Sequence, residues 1–301
     1  MMEHFRDHFQ LFCCPKCGGN LKHKQITCSK CQADFKITGG IPLMFWPQLK
    51  IDLVTAKVKR FYEAIPFPNY DGIESAADLI RKAKQGIFAQ WLDETLPFNS
   101  LVLDAGCGTG QLSNFLSLSH RFVFGTDMSL ASLKLGQQFK QLNRLGRVGF
   151  YQMNIFAPIF KPESFDVVIC TGVLHHTPDP KAGFMSLSRL AKPGGLIIIG
   201  LYHRWGRVIN RLRRRIFKLS AGHLLWLDPH LKLIKDKDKF RAWFEDQYNH
   251  PHESAHDFSE VLSWFDQAGI TFVDSIPRSR LQLLLTGGRE GGLFIMIGRK
   301  K

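Results

Sequence analysis

The cysteines of this chain are concentrated near its N-terminus, where five of the seven lie between Cys13 and Cys31. Four of them form two Cys-x-x-Cys pairs, Cys14 with Cys17 and Cys28 with Cys31, separated by ten residues. Two such pairs supply the four thiolates that tetrahedral Zn²⁺ prefers, and a site closed by four protein ligands keeps no open position for a substrate. The spacing therefore predicts a structural zinc ribbon rather than a redox pair, which would accompany a βαβ pattern.

A glycine-rich turn in the middle of the chain is the second segment with recognisable chemistry. Gly106, Gly108 and Gly110 allow a ligand to approach the backbone closely. A dinucleotide-binding turn would need a third glycine where Gln111 stands. An acid, Asp104, instead precedes the first glycine by two positions. A carboxylate there favours a ligand that carries an ammonium group, although Asp104 could also cap the following helix.

Two further polar positions follow the next predicted strands. Asp127 ends the second strand, where a carboxylate can accept hydrogen bonds from both hydroxyls of a ribose. Asn154 and Ile155 follow a weaker third strand, where an amide could meet the edge of an adenine. Asn154 could equally be an ordinary turn residue.

Strands alternate with helices from Ser100 onwards, which predicts an α/β fold with a doubly wound, mostly parallel sheet of seven strands. The predicted strands span 101–103, 122–124, 148–151, 165–170, 196–199, 270–273 and 293–297, and later helices span 181–190 and 258–268. Upstream, apolar residues at helical spacing predict one helix between Ala76 and Leu96, after a turn-rich bridge at 47–75. The predicted domains are therefore a zinc-ribbon module at 1–46, a linker with an N-terminal helix at 47–99, and a large domain at 100–301 with a basic helical insertion at about 203–255.

Together these blocks resemble the class I S-adenosylmethionine-dependent methyltransferases, in the small-molecule-type subgroup. The matching blocks are LDAGCGTG at 103–110, the acid at 127, FDVVICTGVLHH at 165–176 and LAKPGGLIII at 190–199. The segment from Cys14 to Phe45 is similar to the small zinc-binding activator family that partners methyltransferases. The resemblance implies a Rossmann-like methyltransferase domain with S-adenosylmethionine as the methyl donor.

The resemblance also implies individual roles in donor binding. Asp104 would hold the methionine amino group, the loop from Gly106 to Gly110 would pack against the methionine and ribose, and Asp127 would bind the ribose diol. Asn154 and Ile155 would frame the adenine, although the family usually has Asp at position 154. Met128 and Thr171 complete the predicted donor contacts.

His175 and His176 are the candidate catalytic residues, because they follow the fourth strand at its carboxyl end. One of them could act as a general base if the acceptor must lose a proton. The alternative is a histidine that caps the next helix or packs beneath the donor.

The basic character of the chain favours an anionic partner. Lys and Arg outnumber Asp and Glu by 40 to 26, which gives a net charge of +14. Seven basic residues and no acid lie between Arg204 and Lys218, in an amphipathic pattern. Such a helix could lie on an anionic membrane surface, grip RNA phosphates, or cover the acceptor pocket with a solvated outer face. A basic surface could also serve solubility alone.

Downstream, His250, His252 and His256 stand among acids, in a spacing that suits no common metal template, and are predicted to line the acceptor pocket.

The leading prediction is a methyltransferase that acts on a small-molecule or lipid-like acceptor. An RNA methyltransferase that uses the zinc ribbon and basic helix for binding is the alternative, and a donor-binding scaffold without activity is a third possibility. The hydrophobic fraction of 45% and charged fraction of 22% exclude wholesale disorder. No apolar run reaches the roughly 20 residues of a spanning helix, and the charged N-terminus does not match a signal peptide, so a cytoplasmic location is predicted.

Overall fold

The computed structural model describes residues 3–22, 26–47, 53–68, 70–220, 244, 251–278 and 292–301. Its centre is a seven-stranded sheet. The strands are β5 (Leu101–Ala105), β6 (Phe122–Asp127), β7 (Val148–Gln152), β8 (Phe165–Thr171), β9 (Ala191–Tyr202), β10 (Ile270–Ile276) and β11 (Leu293–Lys300). Their order across the sheet is β10-β11-β9-β8-β5-β6-β7. Only β11 runs antiparallel to its neighbours. The predicted doubly wound, mostly parallel sheet is confirmed.

Helices fill the connections between the strands. They are α1 (Glu3–Asp7), α2 (Leu53–Ala64), α3 (Ala76–Ala83), α4 (Ile87–Thr95), α5 (Gln111–Leu118), α6 (Leu130–Leu142), α7 (Pro180–Ser188), α8 (Val208–Leu219) and α9 (Phe258–Gln267). Local sequence explains where several begin. The side chain of Ser129 accepts the Ser132 N–H at the start of α6, and Asp179 accepts the Ala182 N–H ahead of Pro180 in α7.

The region before the sheet differs from its predicted structure in two places. The single helix expected between Ala76 and Leu96 is two helices, because the chain turns at Lys84–Gly86 and Gly86 adopts an extended conformation. Glycine is unfavourable in the interior of a helix, so the helix breaks at this point although the stripe of apolar residues continues across the break. The predicted bridge contains α2, whose sequence lacks the Gly and Pro residues that mark the flanking turns.

The N-terminal module, residues 3–46, contains two short hairpins. Strands β1 (Leu21–Lys22) and β2 (Thr27–Cys28) form the first, and β3 (Ile37–Thr38) and β4 (Ile41–Pro42) form the second. The turn of the second hairpin is Gly39-Gly40, with positive φ at both positions.

The N-terminal module packs directly on the β7 edge of the large sheet. The backbone N–H of Met44 donates to the carbonyl of Gln152 in β7 over 3.1 Å, and that of Cys13 donates to the carbonyl of Ile159 over 2.8 Å. Buried aromatic rings from both sides, including Phe12 and Tyr151, belong to one continuous hydrophobic cluster. The module and the sheet therefore share a core.

The basic segment forms α8, as predicted, directly after β9. Of the histidine-rich segment downstream, His250 lies outside the described residues, whereas His252 and His256 are described. Among the helices that the structure describes, none combines the length and the hydropathy needed to cross a membrane.

Candidate active site

A cavity of about 510 Å³ opens at the carboxyl ends of β5, β6, β8 and β9. Nine of the eleven residues predicted to bind donor or acceptor line it: Asp104, Gly106, Gly108, Asp127, Met128, Asn154, Ile155, Thr171 and His176. Gly110 and His175 lie outside this lining. Carboxyl-end crevices are where open α/β sheets bind ligands, so the fold brings the predicted residues to the expected place.

Asp104 is the buried acid of this cavity. Its side chain is 4% exposed, and its Oδ2 accepts a hydrogen bond from the Ser113 hydroxyl over 2.6 Å. Burial raises the pKa of Asp104 to about 6, and the nearby charge of Asp127 adds to this effect. Among the described residues no ion pair involves Asp104. A desolvated carboxylate that forms no ion pair within the described part of the chain is suited to a positively charged ligand.

Asp127 connects the tip of β6 to the glycine loop. Its Oδ2 accepts the backbone N–H of Gly108 over 2.9 Å, and its Oδ1 accepts that of Ser129 over 2.8 Å. Burial raises the pKa of Asp127 in spite of these hydrogen bonds. Each carboxylate oxygen has a second lone pair, so these two hydrogen bonds still allow Asp127 to accept from a ligand.

The three glycines of the loop are required for different reasons. All three have positive φ. A Cβ on Gly106 would lie 2.3 Å from Val173, and one on Gly108 would lie 2.5 Å from the carbonyl oxygen of Phe67. Gly110 is instead the N-cap residue of α5, and a Cβ there would lie 2.3 Å from the ring of Phe150 in β7. Gly110 therefore acts through packing behind the cavity and not as part of its lining.

The bridge before the sheet braces this loop, which the sequence did not reveal. The Thr109 hydroxyl donates to the carbonyl of Pro68. The Tyr70 hydroxyl donates to the carbonyl of Thr109 over 3.0 Å and accepts from the Asn114 amide over 2.8 Å. Pro68 and Tyr70 of the bridge thus hold the glycine loop in place.

Glu63 is a second structural residue that sequence reasoning missed. Its carboxylate accepts the backbone N–H groups of Leu130 and Ala131, over 2.8 and 3.1 Å, at the N-terminus of α6. This contact fixes α2 beside the cavity, where Val58 and Tyr62 contribute to the lining. The unpaired N–H groups expected at any helix start were the only available signal, and they do not reveal a partner 67 residues away.

Asn154 connects the cavity to the N-terminal module. Its Nδ2 donates to the carbonyl of Trp46 over 3.0 Å, and its Oδ1 accepts the backbone N–H of Phe156 over 3.1 Å. The carbonyl of Asn154 also accepts from Ala157 N, so the residue does form a turn. Its predicted contact with adenine stays a prediction, and the structure adds a second role in docking the module.

The two candidate histidines occupy different environments. His175 is fully buried behind the wall, with its ring 3.9 Å from that of Tyr202. His176 lines the cavity, and its Nδ1 lies 2.8 Å from the carbonyl of His252, so Nδ1 carries the hydrogen. Burial lowers the pKa of His176 to about 4, and the ring is therefore neutral at pH 7. Of the pair, the structure favours His176 for contact with an acceptor.

A buried ion pair supports the wall beside His176. Tyr202 lines the cavity at the end of β9, and the guanidinium of Arg207 lies 3.9 Å from the centre of its ring. The Nε of Arg207 donates to Glu253 over 3.0 Å. Glu253 and His252 thus brace the wall from behind, and neither His252 nor His256 belongs to the cavity lining in which they were predicted.

The four paired cysteines form a compact cluster in the N-terminal module. Their sulfur atoms all lie within 4.8 Å of one another, with Cys14 3.7 Å from Cys31 and Cys17 3.5 Å from Cys28. Tetrahedral zinc with Zn–S bonds of about 2.3 Å places its sulfur ligands about 3.8 Å apart, so the cluster fits the metal. Within the described residues this is the one group of His, Cys, Asp and Glu side chains that could hold an ion.

The surroundings of the cluster also suit thiolates. The backbone N–H groups of Cys31 and Lys30 approach the sulfur of Cys28 at 3.4 Å, and they lower the pKa of Cys28 to about 6. A Cβ on Gly19 would lie 3.0 Å from the same sulfur, which explains the glycine at that position.

Comparison with known proteins gives a consistent result. The family described as "Methyltransferase domain" matches residues 103–199. A ubiquinone biosynthesis O-methyltransferase of Pseudomonas fluorescens (strain SBW25) is 36% identical over 194 residues, which cover 62% of this chain and 71% of that protein. An uncharacterised protein of Synechococcus sp. is 27% identical over 206 residues, which cover 60% of this chain and 49% of that protein. The chain spans about half the length of several of the curated relatives it matches.

The fold has a counterpart among solved structures. The magnesium protoporphyrin IX methyltransferase of Synechocystis PCC 6803, solved with bound SAH, superposes with a TM-score of 0.54 at 19% identity. The superposition covers 82% of this chain and 100% of that chain.

Proposed function

Because the chain belongs to the family of S-adenosylmethionine-dependent methyltransferases, we propose that it transfers the methyl group of S-adenosylmethionine to a small-molecule or lipid-like acceptor. The observation that carries this proposal is the buried carboxylate of Asp104, which lines the cavity beside the glycine loop with no cation paired to it among the described residues. The donor carries both an ammonium group and a positively charged sulfur, and so supplies the missing charge.

The donor spans the tips of two adjacent strands in this proposal. Asp104 holds the methionine ammonium group, and Asp127 accepts hydrogen bonds from the ribose hydroxyls. The loop from Gly106 to Gly108 packs against the methionine and ribose, because its lack of side chains lets a ligand approach the backbone. Met128, Asn154 and Ile155 frame the adenine, and Thr171 lies on the opposite side of the cavity lining.

An acceptor nucleophile would attack the methyl carbon of the donor in line with the S–CH₃ bond, so that this bond breaks as the new bond forms and neutral S-adenosylhomocysteine leaves. The cavity contributes by alignment and by exclusion of water. His176 is neutral at pH 7, so its ring can accept a hydrogen bond from an acceptor hydroxyl and orient its oxygen towards the methyl group. A pKa near 4 makes His176 a weak base, which suits orientation better than early removal of a proton.

The remainder of the lining favours an apolar acceptor. It is formed largely by aliphatic and aromatic side chains, which include Phe45, Val58, Leu79, Ala83, Leu112 and Phe115. Lys82 is the one lysine or arginine that contributes to the described lining. An RNA acceptor would need several cations at the entrance to meet its phosphates, and the relative in Pseudomonas fluorescens is named for an O-methylation in ubiquinone biosynthesis.

The acceptor class can be tested with radiolabelled S-adenosylmethionine and fractionated cell material. We expect label to enter the pool extractable into organic solvent. If the acceptor needs the ring of His176 for alignment, the His176→Ala variant should transfer no label to this pool. Label confined to RNA would contradict the small-molecule proposal. Absence of transfer to any pool, together with absence of donor binding, would contradict methyltransferase activity itself.

Donor binding should depend on pH through Asp104. The pKa of about 6 means that this carboxyl takes up a proton as the pH falls below 6, and a protonated acid no longer attracts an ammonium group. We expect the dissociation constant to be lowest near pH 7 and to rise about tenfold for each pH unit below pH 6. Calorimetry at pH 5.5 in buffers of different ionisation enthalpy should show that binding releases a proton. A dissociation constant that is flat from pH 5 to pH 8 would contradict this role.

We also propose that Cys14, Cys17, Cys28 and Cys31 bind one structural Zn²⁺. Support comes from the sulfur separations, from the N–H groups that face Cys28, and from the absence of an open ligand position in a four-thiolate site. The metal takes no part in methyl transfer. It holds the N-terminal module, and through Trp46 and Asn154 that module holds one wall of the cavity.

A further inference from the structure

Helix α8 presents three apolar side chains outward, away from the protein. The residues that face inward are Arg207, just before the helix, and Asn210 and Phe217 within it, all of them buried. The outward residues are Val208, Leu212 and Leu219, which fall within an arc of about 40° on a helix of 3.6 residues per turn. Leu212 is 57% exposed and Leu219 is 89% exposed. This is the reverse of an ordinary surface helix, which turns its apolar stripe to the core.

The exposed apolar stripe continues beyond the N-terminus of the helix. Trp205 precedes Val208 by three residues and is 65% exposed. Side chains of this kind on a soluble surface mark a site of interaction, since contiguous exposed apolar groups are uncommon. The "α8 stripe" denotes Trp205, Val208, Leu212 and Leu219.

Positive charge borders the α8 stripe on one side. Arg204, Arg211 and Arg215 are exposed along that flank, and no acidic residue occurs from Val208 to Leu219. Arg204 lies 3.3 Å from the carboxylate of Asp257. Arg211 donates a hydrogen bond to the backbone carbonyl of Arg204, a contact that does not neutralise its charge. The surface thus combines apolar groups that leave water with cations that attract an anionic layer.

We propose that the α8 stripe binds the surface of a membrane that contains anionic lipid. Tryptophan and leucine enter the boundary between headgroups and acyl chains, while the arginines contact lipid phosphates. A nucleic acid would use the arginines but would leave the leucines exposed, and the stripe therefore favours lipid. Because the same helix follows β9, whose last residue Tyr202 lines the cavity, binding would hold the cavity close to the bilayer.

Buried contacts on the inward side of α8 fix the orientation of the helix. Arg207 is buried in its pair with Glu253 and lies over Tyr202, so the helix cannot rotate its apolar side inward without removing that pair from its place. Breaking one partner of a buried ion pair leaves an uncompensated charge, which is costly. The outward position of the stripe is consequently part of the folded structure.

Flotation with lipid vesicles tests the proposal without donor or acceptor, so its outcome is separate from that of the methyl-transfer assay. The full-length protein is mixed with vesicles of phosphatidylcholine that contain about 30% phosphatidylglycerol at about 0.1 M salt. We expect the wild-type protein to float with these vesicles and to bind phosphatidylcholine alone weakly. The double variant Leu212→Glu with Leu219→Glu should lower the partition coefficient more than tenfold. Arg211→Gln and Arg215→Gln should each lower it about fivefold.

Leu142→Glu and Arg144→Gln are the matched controls. Both residues are exposed, at the C-terminal end of α6, which leads to the opposite edge of the sheet. They should leave flotation unchanged, and circular dichroism should show that all variants keep the wild-type melting behaviour. The proposal is overturned if the wild-type protein does not float, if the α8 variants float as well as the wild type, or if the controls lose binding equally. Salt-dependent retention of RNA without vesicle binding would assign the surface to nucleic acid instead.

Discussion

Replacing Asp104 with asparagine should lower the affinity for S-adenosylmethionine about 30- to 100-fold, which corresponds to ~2–3 kcal/mol for a hydrogen bond to a charged group. The same change should leave the thermal midpoint unchanged or higher. The folded-state pKa of about 6 lies above the ordinary aspartate value of 3.8, so the ionised carboxylate at pH 7 is less favourable in the folded protein than in the unfolded chain. Removing the charge removes that penalty. Calorimetry checks the predicted loss of affinity, and a thermal melting curve checks the predicted stability.

Ser113→Ala is the matched control for Asp104→Asn. It removes the hydroxyl that donates to Asp104 but keeps the charge, so donor affinity should change only a few-fold while stability falls. Opposite responses of the two variants would separate the effect of charge from that of the hydrogen bond. An Asp104→Asn protein that binds the donor as tightly as wild type would contradict the assigned role, and a large loss of stability would contradict the pKa argument.

Replacing Cys28 with serine should release the zinc and destabilise the whole chain. Structural zinc contributes ~10 kcal/mol or more to small zinc-finger peptides. We expect a loss of at least about 3 kcal/mol here, seen as a midpoint lowered by about 10 °C. The N-terminal module and the sheet share one hydrophobic cluster, so unfolding should remain a single transition at lower temperature. Elemental analysis should find one zinc per wild-type chain.

Cys13→Ser is the control for Cys28→Ser, because Cys13 is also buried but lies outside the four-sulfur cluster. It should keep its zinc and most of its stability. A wild-type protein without metal would exclude the zinc site. A Cys28→Ser protein that melts in two steps, with an unchanged main transition, would show that the module folds independently of the sheet.

The features predictable from sequence are those whose chemistry is contained in a short stretch of chain. Two cysteines separated by two residues must lie close together, and a glycine turn between a strand and a helix must leave the backbone accessible. The alternation of apolar strands with amphipathic helices likewise predicted the parallel sheet, and parallel strands bring their carboxyl ends to one edge. Asp104 and Asp127 therefore had to meet, whatever the details of packing.

Contacts between distant segments depend on packing that no local pattern specifies. Glu63 reaches the N-terminus of α6, and Asn154 reaches Trp46 across 108 residues, through side chains that would also be satisfied by water in another arrangement. The break at Gly86 was missed because the apolar stripe continues across it, so burial of Leu79 and Leu92 is the same for one helix or two.

Residue types and their spacing were enough to predict a sheet edge with two acids around a glycine turn, preceded by four thiols spaced for a metal. That His176 rather than His175 lines the cavity, and that the α8 stripe faces solvent, became evident from the folded structure alone. Two adjacent histidines have equal local preferences, and the outward α8 stripe opposes the usual preference of an amphipathic helix. Both outcomes therefore depend on which side the buried contacts of Tyr202, Arg207 and Glu253 occupy.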